Sequence, residues 1–257
     1  MKQLTIMLLT FFYSTTSFAE DNQLADLFEK KNAQGTIIIS SLDGEKNFSH
    51  NDGRRDFRFS TASTFKILNS IISLEEGVIS GKEAVLKWDG TLYEYHSWNS
   101  DQTLESAFRQ SCVWCFQELA RRVGPEKYRS YIEKLNYGQL NETFDTTTFW
   151  LDGSLEISAK EQVEFLKGIY RRSFPFSQSS YDVLKDIMIV EESGSYTIRA
   201  KTGWATRVKP QVGWYVGYVE IKDDVWFFAT NIEIGSRNDL TLRKEITYES
   251  LKIKGII

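Results

Sequence analysis

The sequence has β-strand patterns at both ends and helical patterns between them, and this order restricts the possible fold more than any other feature. Thr36-Ile37-Ile38-Ile39 predicts a strand from Gly35 to Leu42, and Asp43-Gly44 predicts a hairpin turn after it. Near the other end, alternation with a period of two predicts three more strands. These strands are 196–202, 212–221 and 225–232. We expect the strands from both ends to share one mostly antiparallel sheet.

The middle of the chain has a helical period. Gly124-Pro125 separates two of the helices, because proline favours the first helical position, and Ser158-Ala159-Lys160-Glu161 forms a capping box before another. The predicted helices are 24–32, 64–76, 104–108, 113–122, 125–135, 159–170, 181–190 and 238–254. Residues 137–157 have no helical period and predict a long loop, which in a compact domain is usually functional.

These patterns predict an α/β chain of the α+β type. We expect a mostly antiparallel central sheet flanked by the N- and C-terminal helices, with an inserted all-helical lobe. The sheet part is about 20–60 together with 191–257, and the lobe is about 61–190. Residues 20–257 are expected to form a single domain, which is the usual outcome at this length.

The first residues have the pattern of a secretory signal peptide. A basic start at Met1-Lys2-Gln3 precedes an apolar run from Leu4 to Tyr13, and small and polar residues then lead to Ala19. We therefore expect residues 1–19 to be removed and the protein to be exported. The apolar run is too short to span a bilayer. A membrane anchor and a buried N-terminal helix are the alternatives.

Composition excludes several classes of function. The net charge is −4, and no stretch forms the basic face that nucleic-acid binding requires. The cysteines, Cys112 and Cys115, are too few for a disulfide scaffold, and with His50 and His96 they do not make a convincing metal site. A bridge between cysteines three apart on a helix would be strained. We therefore expect two small thiols, buried or partly buried.

The segment 59–68 carries the first chemical signal, because a hydroxyl and an amine lie three residues apart at the start of an apolar run. On a helix Ser63 and Lys66 would share a face, so a neutral amine could take the proton of the serine. Ser60 or Thr61 would be the N-cap. The N–H of Ser63 would then have no intrahelical partner and could form half of an oxyanion hole. Ser-x-x-Lys is short enough to occur by chance, so other motifs must support it.

Three further motifs follow in order: Ser111-Cys112-Val113 between two predicted helices, Trp150 in the long loop, and Lys201-Thr202-Gly203-Trp204 on a predicted strand. With Ser63-Thr64-Phe65-Lys66 they resemble the serine penicillin-recognising enzymes, and most closely the class D β-lactamases, or oxacillinases. The resemblance covers essentially all of 20–257. Supporting segments are Lys87-Trp88-Asp89-Gly90, Phe149-Trp150-Leu151-Asp152-Gly153 and Leu242-Arg243-Lys244.

The resemblance implies roles for the nucleophile and its base. Ser63 would be the nucleophile that is acylated by the β-lactam, and the N–H groups of Ser63 and Trp204 would form the oxyanion hole. Lys66 would be the general base in the form of a carbamate (N6-carboxylysine) made from CO2. Burial that lowers the pKa of this lysine favours carbamylation. Phe65, Val113 and Trp150 are the predicted apolar wall, and the indole of Trp150 would donate a hydrogen bond to the carbamate.

The resemblance also implies a substrate subsite. Ser111 would relay a proton to the β-lactam nitrogen, with Lys201 beside it. Lys201, Thr202 and Arg243 would hold the substrate carboxylate, since a guanidinium suits a carboxylate well. The remaining expected substrate contacts are Gly203, Trp204, Val113 and Trp98.

The expected activity is therefore hydrolysis of penicillin-type β-lactams, which confers antibiotic resistance. A penicillin-binding transpeptidase and a β-lactam sensor, which acylate without fast turnover, are the alternatives. Apart from CO2 or bicarbonate, the resemblance implies no cofactor and no metal. It implies a small-molecule substrate, no nucleic-acid or membrane partner after signal cleavage, a monomer or homodimer, and the periplasm of a Gram-negative cell. The chain has Tyr137-Gly138-Gln139 where the family has Tyr-Gly-Asn.

Overall fold

A computed structural model describes residues 20–257, so the predicted signal peptide lies outside the described residues. Its centre is a six-stranded antiparallel sheet. In chain order the strands of the protein are β1 (Gly35–Ser41), β2 (Asn47–His50), β3 (Phe59–Ser60), β4 (Val85–Leu86), β5 (Gln102–Thr103), β6 (Gln139–Leu140), β7 (Leu155–Ile157), β8 (Ile189–Glu192), β9 (Tyr196–Ala205), β10 (Val212–Ile221) and β11 (Asp224–Glu233). The sheet has the order β2-β1-β11-β10-β9-β8, so strands from both ends of the chain meet at the β1–β11 pair.

Helices lie on both sides of this sheet. They are α1 (Asn22–Lys30), α2 (Asp52–Asp56), α3 (Lys66–Glu75), α4 (Leu104–Arg109), α5 (Val113–Val123), α6 (Pro125–Lys134), α7 (Ala159–Arg171), α8 (Gln178–Ile187) and α9 (Leu242–Ile253). Three short 3-10 turns cover Ala62–Phe65, His96–Trp98 and Arg237–Thr241. Within residues 20–257 no helix is both long and apolar enough to cross a membrane.

The two faces of the sheet bury two separate hydrophobic cores, because successive side chains of a strand point to opposite faces. On one face Ile37 and Ile39 of β1 pack with α1 and α9, which contribute Phe28 and Ile246. The other face packs against the lobe, and Ile38 belongs to that core. This architecture confirms the predicted fold class and the placement of the terminal helices.

Several local predictions were wrong. The end of the predicted helix 181–190 is instead the edge strand β8, which pairs with β9. The predicted loop 137–157 begins and ends in the short strands β6 and β7, which pair with each other. The short helix α2, which is capped by the side chain of Asn51, is absent from the predicted helices. Strands of two or three residues are too short to show a period in the sequence.

The expectation of two free thiols was also wrong, because Cys112 and Cys115 form a disulfide. The argument against a bridge assumed that both residues lie on one helix. Cys112 instead immediately precedes α5 in a non-helical conformation, with φ −54° and ψ 113°, and its Cα lies 5.5 Å from that of Cys115. That separation is within the normal range for a disulfide.

Replacement of Gly138 by alanine tests the backbone geometry of the β6 region. Gly138 has φ +66°, and an added Cβ would lie 2.1 Å from the carbonyl oxygen of Glu156 on β7. Gly77 has nearly the same φ, +65°, but open space around it, so it is the matched control. We expect Gly77→Ala to cost about 1 kcal/mol in free energy of unfolding, from backbone strain alone. We expect Gly138→Ala to cost about 2–4 kcal/mol, since steric overlap is added. Equal losses in urea unfolding would contradict the described contact.

Candidate active site

Ser63 lies in the 3-10 turn Ala62–Phe65, which leads directly into α3. Thr61 occupies the N-cap position of this turn, as predicted, but its side chain makes no capping hydrogen bond. The hydroxyls of Ser60 and Thr61 donate instead to the carbonyl of Trp150. Ala62 has φ +46°, a conformation that is costly for a residue with a Cβ and that is found mainly at functional sites. Within residues 20–257 the N–H of Ser63 has no hydrogen-bond partner, so it is free to donate to a ligand.

Hydrogen bonds from distant elements fix this turn. The indole of Trp214 on β10 donates to the carbonyl of Ser60 over 2.9 Å. The side chain of Gln162 on α7 donates to the hydroxyl of Thr64 over 2.8 Å, and this hydroxyl donates to the carbonyl of Thr61 over 2.6 Å. These donors and acceptors are buried, where a lost partner is costly. Packed elements on both sides of the turn therefore keep Ala62 in its strained backbone conformation.

Lys66 lies directly beneath the serine. Its amine donates a hydrogen bond to the Ser63 hydroxyl over 3.0 Å, and the side chain is fully buried. The ring of Phe116 on α5 is 5.1 Å from the amine. No carboxylate among residues 20–257 pairs with Lys66, and burial lowers its pKa from 10.5 to about 7. A substantial fraction of the amine is therefore neutral near pH 7, which is what a base or a nucleophilic amine requires.

Trp150 packs against the same turn. Its ring stacks on that of Phe65, the residue before Lys66, with 5.6 Å between the ring centres. The indole is fully buried, and its Nε1–H has no hydrogen-bond partner in the described part of the chain. A buried donor without a partner normally costs about 1–3 kcal/mol and therefore calls for an explanation.

Strand β9 forms the opposite wall of the site. Gly203 favours the close approach, because an added Cβ would lie 3.3 Å from the backbone nitrogen of Thr64, which is a tight contact. N–H groups alternate between the two edges of a strand. The N–H of Ala200 bonds to the carbonyl of Met188 on the edge away from β10. The N–H of Trp204 therefore points to that same edge, which β8 leaves uncovered beyond Ala200.

Lys201 and Ser111 meet across the cleft. Lys201 is 4% exposed, and its amine donates to the Ser111 hydroxyl and, over 3.2 Å, to the carbonyl of Thr202. Burial holds the pKa of Lys201 well below its ordinary value, and the positive charges of Lys66 and Arg243 act in the same direction. Ser111 itself has φ +56°, immediately before the disulfide residue that precedes α5.

Arg243 comes from the first turn of α9. One terminal nitrogen donates to the carbonyl of Gly203 over 3.0 Å. Burial lowers the pKa of Arg243 to about 10, and its Nε has no partner within residues 20–257. A buried guanidinium with spare donors is well suited to bind a carboxylate.

A cavity of about 600 Å³ joins most of these groups. Its lining includes most of the predicted site residues: Ser63, Trp98, Ser111, Val113, Thr202, Gly203, Trp204 and Arg243. Lys66, Trp150 and Lys201 do not line it but lie behind the surface, where they are buried. The lining also contains residues that the sequence reasoning missed: Glu94, Tyr95, Gln110, Leu151, Thr206, Arg207, Arg237 and Leu240. Leu151 belongs to a segment that supports the family resemblance, but no local pattern marks the others, which only the fold brings together.

Comparisons with known proteins agree with this arrangement. Residues 31–252 match the family model described as the penicillin-binding protein transpeptidase domain. β-Lactamase OXA-48 of Klebsiella pneumoniae is 39% identical over 90% of this chain and 87% of its own length. The crystal structure of the class D β-lactamase YbXI from Nostoc has a TM-score of 0.89 and 43% identity, and covers 91% of this chain and 99% of that one. The chain belongs to the class D β-lactamase family.

A protein that is named as regulatory is also similar to this class D chain. Regulatory protein BlaR1 of Bacillus licheniformis is 37% identical over 92% of this chain, but the match covers only 39% of BlaR1. The family assignment confirms the predicted resemblance, and with it the expectation of a serine β-lactam hydrolase. Within residues 20–257 there is no group of three or more His, Cys, Asp or Glu that could hold a metal ion.

The glutamine that stands in place of the family's asparagine in the Tyr-Gly-Asn triplet makes a hydrogen bond in this class D chain. The side-chain oxygen of Gln139 accepts a hydrogen bond of 2.9 Å from Arg58, which also pairs with Glu161 at the start of α7. Gln139 is exposed and does not line the 600 Å³ cavity.

Replacement of Lys66 by methionine tests the burial of a neutral amine. The folded pKa of about 7 is below the ordinary value of 10.5, so between these values the unfolded chain binds one more proton than the folded chain. The stability of the parent must therefore rise with pH across this window. In CO2-free buffer we expect Lys66→Met to raise the free energy of unfolding at pH 7 by about 2–4 kcal/mol, and the gain to shrink towards pH 10.

Lys222→Met is the control for this measurement, because the Lys222 side chain is 92% exposed. It should give no comparable gain at any pH. A constant difference between Lys66→Met and the parent from pH 7 to pH 10 would show that Lys66 is charged in the folded protein.

Proposed function

We propose that the protein hydrolyses the β-lactam ring of penicillin-type antibiotics through an ester on Ser63. The observation that carries the proposal is the Ser63–Lys66 pair, with 3.0 Å between hydroxyl and amine and no carboxylate within residues 20–257 to hold the buried lysine charged. In the first step the Ser63 oxygen attacks the lactam carbonyl while its proton passes to the base on Lys66. The N–H groups of Ser63 and Trp204 receive the developing negative charge.

Ser111 and Lys201 serve the leaving nitrogen. When the C–N bond breaks, the nitrogen must gain a proton, and the hydroxyl of Ser111 can donate one. The hydrogen bond from Lys201 lowers the cost of the negative charge that develops on the Ser111 oxygen. Because Lys201 is buried between other cations, it can also resupply that proton readily.

The groups around Arg243 would bind the substrate. Arg243 and Thr202 would hold the ring carboxylate, and Lys201 adds positive charge from behind the surface. Gly203, Trp204, Val113 and Trp98 would contact the rest of the substrate, since all four line the cavity. Before the second step the base on Lys66 loses the first proton to solvent. It then takes a proton from water, which attacks the ester carbonyl, and returns this proton to the Ser63 oxygen as the ester C–O bond breaks.

The form of Lys66 that takes the proton is proposed to be the carbamate. The residues present fit this group, because the amine is partly neutral and because the Trp150 ring stacks on Phe65, the residue before Lys66, while its indole N–H has no partner among residues 20–257. When formed, the carbamate supplies a carboxylate oxygen as the base. No separate acidic residue lines the cavity except Glu94, which comes from the far side of the cleft mouth and pairs with Arg237. No other cofactor is proposed.

The biological setting is proposed from the sequence. A signal peptide at residues 1–19 would send a single domain, residues 20–257, to the periplasm of a Gram-negative cell, where hydrolysis would give antibiotic resistance. The Cys112–Cys115 disulfide supports an oxidising compartment. We propose a monomer or homodimer with small-molecule substrates, and no nucleic-acid or membrane partner after cleavage.

Turnover of a chromogenic cephalosporin and of benzylpenicillin tests the proposed function. We expect continued product release by the mature protein, and no covalent addition to Ser63→Ala in mass spectrometry. Thr64→Ser is the matched control, because it keeps the hydroxyl that holds the turn, and it should still be acylated. A single stoichiometric acylation without further product would favour a sensor, for which the similarity to BlaR1 is the supporting observation. Addition to Ser63→Ala would show that another residue is the nucleophile.

A further inference from the structure

An ion pair crosses the mouth of the 600 Å³ cavity. Arg237 donates to Glu94 over 3.0 Å, although 143 residues separate them. Glu94 lies in the loop between β4 and β5, on the side of the helical lobe, and Arg237 lies between β11 and α9, on the side of the sheet. Both residues line the cavity, so the pair joins its two walls.

The backbone on the lobe side is fixed by its own hydrogen bonds. The side chain of Asn99 accepts from the N–H of Tyr93 over 2.8 Å and donates to its carbonyl over 3.1 Å. The ring of Tyr95 packs on that of Trp98, with 4.7 Å between ring centres. Glu94 therefore lies between two residues whose positions are fixed by their contacts, and the loop holds its carboxylate in position.

The sheet side is anchored as well. The carboxylate of Asp239 accepts from the N–H groups of Gly235 and Ser236, over 3.0 and 2.7 Å. The guanidinium of Arg237 also lies 5.7 Å from the ring centre of Trp204, within reach of a cation–π contact. The Trp204 indole donates to Gln211 over 3.1 Å. Arg237 thus has two partners, and each is held in place.

The charged side chains that line the cavity determine how this ion pair affects substrate binding. The charged side chains that line the cavity are three arginines, Arg207, Arg237 and Arg243, and one acid, Glu94. The net charge of the lining is therefore +2, and the loss of Glu94 would make it +3 while freeing Arg237. Every substrate brings one ring carboxylate, for which Arg243 is proposed. A second charge, on the variable side chain of the substrate, would interact with the charged groups at the mouth of the cavity.

We propose that Glu94 and Arg237 are specificity-determining residues that select β-lactams by the charge of the variable side chain. This inference rests on the proposed function. Glu94 neutralises Arg237, so the parent gains little from a second carboxylate on the substrate. Without Glu94 the free guanidinium attracts such a carboxylate, and without Arg237 the free carboxylate attracts an ammonium group. Neither residue contacts the reacting atoms, so their effect is on discrimination between substrates.

Three penicillins with the same phenyl group make the test specific. Benzylpenicillin has a neutral side chain, ampicillin carries an ammonium group and carbenicillin carries a second carboxylate. We would measure kcat/KM for all three and follow the carbenicillin-to-ampicillin ratio. For exposed charges we expect Glu94→Gln to raise this ratio about two- to fivefold and Arg237→Gln to lower it by a similar factor. Glu94→Asp keeps the charge and should stay near the parent.

The control is Glu105→Gln, which removes one acidic charge from an exposed ion pair on α4 that does not line the cavity. It should leave the ratio unchanged. If Glu94→Gln and Arg237→Gln move the ratio in the same direction, or if neither moves it, the proposed selection by charge is wrong although hydrolysis stands. If the parent does not turn over benzylpenicillin at all, the proposed function itself fails.

Discussion

The site depends on one physical constraint, the burial of the Lys66 amine against Ser63 without a counter-charge. Desolvation alone lowers the pKa of Lys66 to about 7, and no carboxylate in residues 20–257 reverses that effect. A paired lysine would stay charged and could not accept a proton. The aromatic residues of this region therefore contribute to the chemistry of the site, because they keep water and charged groups away from the amine. These residues are Phe65, Phe116 and Trp150.

The fold supplies this burial because the sheet and the helical lobe pack against each other in one core around the serine. The sheet contributes β9 with Lys201 and the open N–H edge, and the lobe contributes α3 and α5. Gly203 allows β9 to approach the serine turn, and the disulfide next to Ser111 fixes the start of α5. The result is a cleft with cations on the sheet side and a lysine without a paired carboxylate on the lobe side. The cations of such an arrangement attract an anionic substrate.

The parts of the structure that local pattern determines could be predicted from the sequence. The alternation in β9, β10 and β11 and the capping box before α7 gave these elements with small boundary errors, and the three-residue spacing placed Ser63 near Lys66. Other features depend on distant groups. The 3-10 turn is fixed by Trp214 and Gln162, β8 forms because β9 offers an edge, and Glu94 meets Arg237 only through the closed fold. The cysteine prediction failed because it assumed helical geometry at Cys112.

We propose that the buried amine of Lys66 is neutral enough to react with CO2 and that the indole N–H of Trp150 then holds the carbamate. Carbon-13 NMR of the protein in labelled bicarbonate measures this directly. The account predicts one carbamate resonance at neutral to slightly alkaline pH, which is lost in Lys66→Met, and a weaker resonance in Trp150→Phe, where the ring remains but the N–H is gone. An active protein that shows no such resonance under saturating bicarbonate would contradict it, since Lys66 would then act as a simple amine.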